Sequence, residues 1–243
     1  MTGKEKKEVY ARIADGSAGI IIGTHALFQE SVAMQRLGLI IVDEQHRFGV
    51  EQRKALMAKA GHMPHVLSLT ATPIPRSLAL TLYGELDISI LKEKPAGRLP
   101  IATKLVSPVN RNRLYEAIRG EIESGRQAFV VCPTIESKEE GQEPTGAAAE
   151  DVYDELQKKQ LKGLRIGLLH GKQKPADKEA VMQQFIEHTL DVLVATTVIE
   201  VGVDVPNASI MVIESAERFG LAQLHQLRGR VGRGSEQSHC YML

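Results

Sequence analysis

Short runs of contiguous apolar, largely β-branched residues recur along the whole chain, and they constrain its fold more than any other feature. They lie at 19–23 (GIIIG), 37–42 (LGLIIV), 66–69, 128–131, 166–169, 192–195 and 209–213. A strand with one wet face alternates apolar and polar residues. A continuous run is covered on both faces, which is the condition of a parallel sheet between two layers of helices. Segments 4–14, 51–60, 110–124, 148–160 and 175–187 carry apolar residues at helical spacing and supply those layers. Parallel neighbours need a crossover, so the expected class is α/β.

The 243 residues are enough for two small cores. The break between them is expected at 91–100 (LKEKPAGRLP), where prolines, a glycine and charges replace apolar residues. That gives domains over 1–95 and 96–243. Segment 136–146 is polar, contains Pro and Gly, and reads as a surface loop inside the second domain. The formal net charge is zero, so any nucleic-acid site must be a local patch rather than a global positive field. Cys132 and Cys240 sit in apolar surroundings and read as reduced, buried thiols. No apolar stretch follows the first lysines as in a signal peptide, and no run approaches the about 20 residues needed to span a bilayer. Met1 leads almost at once into a helix and a buried strand, so the chain is expected to be part of a longer protein.

The residues with chemistry gather just after strands, the edge where ligands bind in open α/β sheets. Asp43-Glu44-Gln45-His46 follows LGLIIV. Two adjacent carboxylates suit a hydrated magnesium ion on a nucleotide, one holding the metal and the other activating water. A solvated acidic turn is the plain alternative. A zinc site using His46 with His25 or His170 is another, although no pair has helical ligand spacing. Thr70-Ala71-Thr72-Pro73 follows the next run, and 195–206 (ATTVIEVGVDVP) follows a later one. In 226–233 (QLRGRVGR), arginines alternate with glycines near a helix end. Glycine costs a helix about 1 kcal/mol, which points to close approach of another surface. The guanidinium fork suits a polyphosphate.

Taken in this order, the four features resemble motifs II, III, V and VI of the superfamily-two helicases. The stretches GTHALFQ, IIVDEQHRFGVEQR, LTATPIPRSLALTLYGELD, GLLHGK, ATTVIEVGVDVPNA and ERFGLAQLHQLRGRVGRG resemble the RecG branch and run from Gly23 to Gly234. The transcription–repair coupling translocases share HRFGV, TATPIPR and LAQLHQLRGRVGR. Gln45, Tyr83-Gly84 and Val201-Gly202-Val203 favour RecG.

The resemblance implies two RecA-like parallel-sheet domains in tandem. The first, incomplete, holds motifs Ib, II and III; the second holds IV, V and VI. It implies ATP and Mg2+ as cofactors and an ATP-dependent DNA helicase or translocase that remodels stalled forks and Holliday junctions in recombination and repair. Asp43 would hold the metal and Glu44 would activate the attacking water. Gln45 and His46 would relay the nucleotide state, and Arg230 and Arg233 would reach the phosphates across the cleft. Thr70, Thr72, Gly202, Asp204 and Gln226 would complete the nucleotide site. Thr24, His25, His170, Lys172, Thr196 and Thr197 would contact the DNA backbone. Arg228 matches no fixed family position. Branched DNA, with single-stranded DNA-binding protein as a further partner, a monomeric state and a bacterial, cytoplasmic, nucleoid-associated location follow from the same resemblance. No Gly-x-x-x-x-Gly-Lys-Ser/Thr loop occurs in the 243 residues. The backbone cradle for ATP phosphates is therefore missing from them, and this polypeptide alone is expected to lack ATPase activity. The alternatives are the motor of a transcription–repair coupling translocase and a non-catalytic, truncated DNA-binding module.

Overall fold

The computed structural model describes residues 3–29, 32–34, 36–44, 50–70, 87–91, 93, 97–133, 147–196 and 205–243. The chain divides into two compact units, Met1–Gly84 and Glu85–Leu243.

In the first unit, helix α1 (Gly3–Ala14) precedes strand β1 (Leu39–Val42), helix α2 (Val50–Ala58) and strand β2 (His65–Ser68). β1 and β2 pair in parallel, Leu39 opposite His65 through Val42 opposite Ser68. Ile40 and Val42 point inward, while Leu39 and Ile41 are more than half exposed. Continuous apolar character therefore does not mean two covered faces in this unit. The expected strand at 19–23 is absent: these residues have no regular structure. Ile20 and Ile22 are 86% and 93% exposed. An apolar, β-branched run becomes a strand only when a neighbour satisfies its N–H and C=O groups, and no described strand does so here.

The second unit is built on six parallel strands in the order β3-β8-β7-β4-β6-β5. Along the chain they run β3 (Ala102–Leu105), helix α3 (Arg111–Glu123), β4 (Gln127–Val131), helix α4 (Ala147–Glu155), β5 (Ile166–Leu169), helix α5 (Pro175–Ile186), β6 (Val192–Ala195), β7 (Ala208–Ile213), helix α6 (Leu221–Arg228) and β8 (His239–Met242). A π-helical turn, Leu156–Gln160, extends α4.

β4, β6 and β7 are buried at every position. Their side chains divide by the two-residue period of a strand. Phe129, Val131, Leu193, Ala195, Met211 and Ile213 pack with Phe185 of α5 and Leu227 of α6 on one face. Ala128, Val130, Val192, Val194, Ile210 and Val212 pack with Leu114 and Ile118 of α3 and Ala149 of α4 on the other. This is the two-faced burial that the continuous runs predict.

β3 carries no apolar run because it is an edge strand, with three of its four residues exposed. Cys132 and Cys240 are free and buried in opposite layers, and burial pushes their thiols up to about 12 and about 11. The loop expected at 136–146 lies outside the described residues. No described helix is long and apolar enough to cross a membrane.

The strand entries are tied by polar side chains. The N–H of Arg165 donates to Asp191 Oδ2 at 2.8 Å, and its guanidinium grips the same carboxylate. Burial pushes the Asp191 carboxyl up, but the hydrogen bonds and charge of Arg165 outweigh it and leave it below its ordinary value. A lowered folded value means stability present above the ordinary carboxylate range and lost as pH falls through that value. Arg165 is largely exposed, so the contribution is small. Asp191→Asn should cost about 1 kcal/mol near neutral pH and progressively less as pH falls below the ordinary carboxylate range, as read from urea unfolding across a pH series.

Candidate functional site

In the first unit, sheet register assembles the carboxylates and the threonine. Val42 pairs with Ser68, and the N–H of Leu69 donates to the Val42 carbonyl at 2.8 Å. Asp43-Glu44 and Thr70 therefore leave the sheet at the same end of two adjacent parallel strands. Asp43 is exposed, and its Oδ1 accepts the N–H of Glu44 at 2.8 Å. Glu44 adopts a left-handed backbone with φ 49°. Such a conformation is uncommon outside glycine and clusters at functional sites. Thr24 lies in the segment before a 3-10 turn, His25–Phe28, where the N–H of Leu27 donates to its carbonyl at 3.0 Å. A cavity of about 1050 Å³ has both Thr24 and Asp43 in its wall, with Ile22, Leu27 and Ile41. Gln45, His46 and Thr72 lie outside the described residues, as does the side chain of His25.

The zinc alternative uses His46 with His25 or His170, and His46 and the His25 side chain lie outside the described residues. Among the described residues no group of three His, Cys, Asp or Glu side chains converges. Magnesium needs only one or two carboxylates beside its waters and the nucleotide phosphates, a demand that Asp43 with Glu44 would fit.

In the second unit, the β5 and β6 ends bring His170, Lys172 and Thr196 together. Leu169 pairs with Ala195, and the N–H of Thr196 donates to the Leu169 carbonyl at 3.1 Å. Lys172 is exposed, whereas Thr196 is 2% exposed and its N–H is taken by Leu169, so the DNA contact expected of Thr196 is not on the surface. Thr197, Gly202 and Asp204 lie outside the described residues.

Gln226, Arg230 and Arg233 lie elsewhere. α6 ends at Arg228, so the two arginines stand in the loop that feeds β8. That loop runs along the N-terminal edge of the sheet. A Cβ on Gly232 would meet Ile101, just before β3, at 2.8 Å, and one on Gly234 would meet the Pro206 carbonyl, just before β7, at 2.8 Å. Gly229 and Gly232 both lie past the end of α6, so the helix cost inferred for them does not apply, and only Gly232 of the two comes close to a strand entry. Gly232 also has φ 76°. Gly232→Ala should destabilise this unit by about 1–3 kcal/mol, seen as a lower melting temperature by circular dichroism. Arg228 has a local role: its guanidinium lies 3.2 Å from His225 Nδ1 on the same helix. Burial, and then that guanidinium, hold the His225 imidazole below its ordinary value, so it is neutral at physiological pH.

Two features left no trace in the sequence pattern. Arg111 pairs with the buried Glu214 at the end of β7, where burial pushes the carboxyl up despite the guanidinium. Gln173 folds back on the turn that carries His170.

The helicase conserved C-terminal domain model matches residues 110–235, and the DEAD/DEAH box helicase model matches residues 1–81. An ATP-dependent DNA helicase RecG of Synechocystis sp. is 53% identical over 239 residues, which cover 98% of this chain and 28% of the relative. A structure of RecG bound to a three-way DNA junction superposes with a TM-score of 0.73 at 45% identity, over 100% of this chain and 30% of that one. The Mycobacterium smegmatis helicase Lhr bound to ssDNA and AMP-PNP shares the fold, with a TM-score of 0.65 at 17% identity over 100% of this chain and 33% of its own. The chain thus spans about a third of the length of these proteins. It belongs to the helicase family defined by the conserved C-terminal helicase domain, in its RecG-type branch.

Proposed function

We propose that this chain is the larger part of the motor of an ATP-dependent DNA helicase or translocase that remodels branched DNA. The supporting observation is the strand register that sets Asp43, Glu44 and Thr70 at one sheet end. The similarity to a RecG captured on a three-way junction supports DNA as the substrate.

In this reading residues 1–95 belong to one RecA-like domain and 96–243 to the next. Asp43 holds hydrated magnesium, which when bound neutralises charge on the nucleotide phosphates. Glu44 accepts the proton of the attacking water. Gln45, His46, Thr70 and Thr72 couple hydrolysis to movement. Gln226, Gly202 and Asp204 complete the nucleotide site, and Arg230 and Arg233 supply guanidinium groups to the phosphates. Thr24, His25, His170, Lys172 and Thr197 grip the DNA backbone without reading sequence, while the buried Thr196 supports the strand end beside them. The activity serves recombination and repair at stalled forks and Holliday junctions. The protein acts as a monomer beside the bacterial nucleoid, with single-stranded DNA-binding protein as a partner.

The 243 residues contain no phosphate-binding loop. Alone, they should release no phosphate above background when DNA is added. Joined in frame to the phosphate-loop segment of a RecG-type relative, they should hydrolyse ATP and unwind a three-way junction. Robust turnover by the isolated chain would overturn its expected inactivity. A chimera that folds and binds nucleotide yet leaves junctions intact would overturn the helicase reading.

A further inference from the structure

The turn after β5 carries His170 and Lys172, two residues assigned above to DNA, and its shape is set by a side chain with no role so far. Gln173 Oε1 accepts the N–H of His170 at 3.1 Å. Its Nε2 donates to the Leu168 carbonyl at 3.0 Å, and its backbone N–H donates to the His170 carbonyl at 3.2 Å. The Lys178 ammonium, in the first turns of α5, donates to the Gly171 carbonyl at 2.8 Å. Below the turn, His170 Nε2 lies 3.6 Å from the Glu150 carboxylate, with the His170 side chain 12% exposed.

Four consecutive peptide groups, from the Leu168 carbonyl to the Gly171 carbonyl, are thus bound by protein groups, while Gly171 and Lys172 are exposed. The two bonds made by the Gln173 side chain are partly buried, and the Lys178 bond is exposed. The effect of the arrangement is to hold one backbone shape.

We propose that Gln173 is a positioning residue that fixes the 170–172 turn so that Lys172 meets a DNA backbone phosphate. The proposal rests on the reading of Lys172 as a phosphate contact. A turn fixed in advance spares the ordering cost that a loose one incurs on binding. Gln173 acts through Lys172, so its loss should remove a phosphate contact without removing a charge.

That consequence is measurable. Binding of the 243-residue chain to a fluorescent three-way DNA junction is followed by anisotropy across a KCl series. Each lost phosphate contact lowers the slope of log affinity against log salt by about one. Lys172→Ala should lower that slope by about one and weaken binding about tenfold at low salt. Gln173→Ala should do nearly the same, although every positive charge remains. The double variant should bind no more weakly than Lys172→Ala. Gln173→Met fills the same volume with neither hydrogen bond and no charge, so it should match Gln173→Ala. A merely structural role for Gln173 would lower the melting temperature and leave the slope unchanged, and that result overturns the proposal. If Lys172→Ala shifts the slope and Gln173→Ala and Gln173→Met do not, the positioning role falls and the phosphate contact stands. If Lys172→Ala itself leaves the slope unchanged, or the wild-type chain binds no junction, both readings fall.

Discussion

Glu44→Gln, made in the chimera that carries a phosphate-binding loop, should reduce ATP turnover by about 10²–10⁴-fold while nucleotide still binds. The amide is isosteric with the carboxyl, so the fold and the ligand pocket persist. It has no basicity, so it cannot take the proton of the attacking water. The geometry explains why this glutamate, rather than another exposed acid, is the one to change. Its backbone is left-handed, at φ 49°, and Asp43 Oδ1 accepts its N–H. A non-glycine residue in that region costs about 1–3 kcal/mol and persists where the surroundings enforce it. Here the bend falls where Asp43-Glu44 leaves the end of β1, adjacent to the end of β2 that leads to Thr70. Steady-state phosphate release should collapse, while a fluorescent ATP analogue should bind with near-normal affinity. Turnover within about threefold of the parent chimera would remove Glu44 from the proton-transfer role.

How far the fold is legible depends on who covers each strand. The runs at 128–131, 192–195 and 209–213 are apolar at every position because helices cover both faces, and each is a strand within a residue of its expected bounds. The GIIIG run is just as β-branched and forms no strand, since strand stability depends on pairing that composition does not encode. β3 shows the converse: Ala102–Leu105 has little apolar signal, yet it is a strand because β8 offers it a register. The candidate site divides the same way. Polar residues after apolar runs were readable as a ligand edge. The register that makes neighbours of the ends of β1 and β2, and of β5 and β6, was not. The back-bonding of Gln173 was not readable either, because it depends on the turn geometry rather than on residue type.

Arg230→Ala and Arg233→Ala in the same chimera should each lower turnover by about 10³-fold or more, the scale of an arginine that neutralises charge on a transferring phosphoryl group. Lysine at either position should restore little, since a point charge lacks the planar fork that meets two phosphate oxygens at once. The structure adds a constraint that the motif alone does not. These arginines stand on the loop feeding β8, along the N-terminal edge of the sheet, with Gly232 and Gly234 pressed against Ile101 and Pro206. His170 and Lys172 stand at the C-terminal ends of β5 and β6. In a parallel sheet those are opposite edges, so phosphate chemistry and DNA grip are separable within this unit. Either arginine variant should therefore retain junction affinity and its salt slope while losing turnover. Lys172→Ala should weaken junction binding, and its turnover should recover at saturating DNA. If Arg230→Ala or Arg233→Ala instead weakens junction binding as much as it slows hydrolysis, those side chains serve the DNA, and the division of labour between the two edges is wrong.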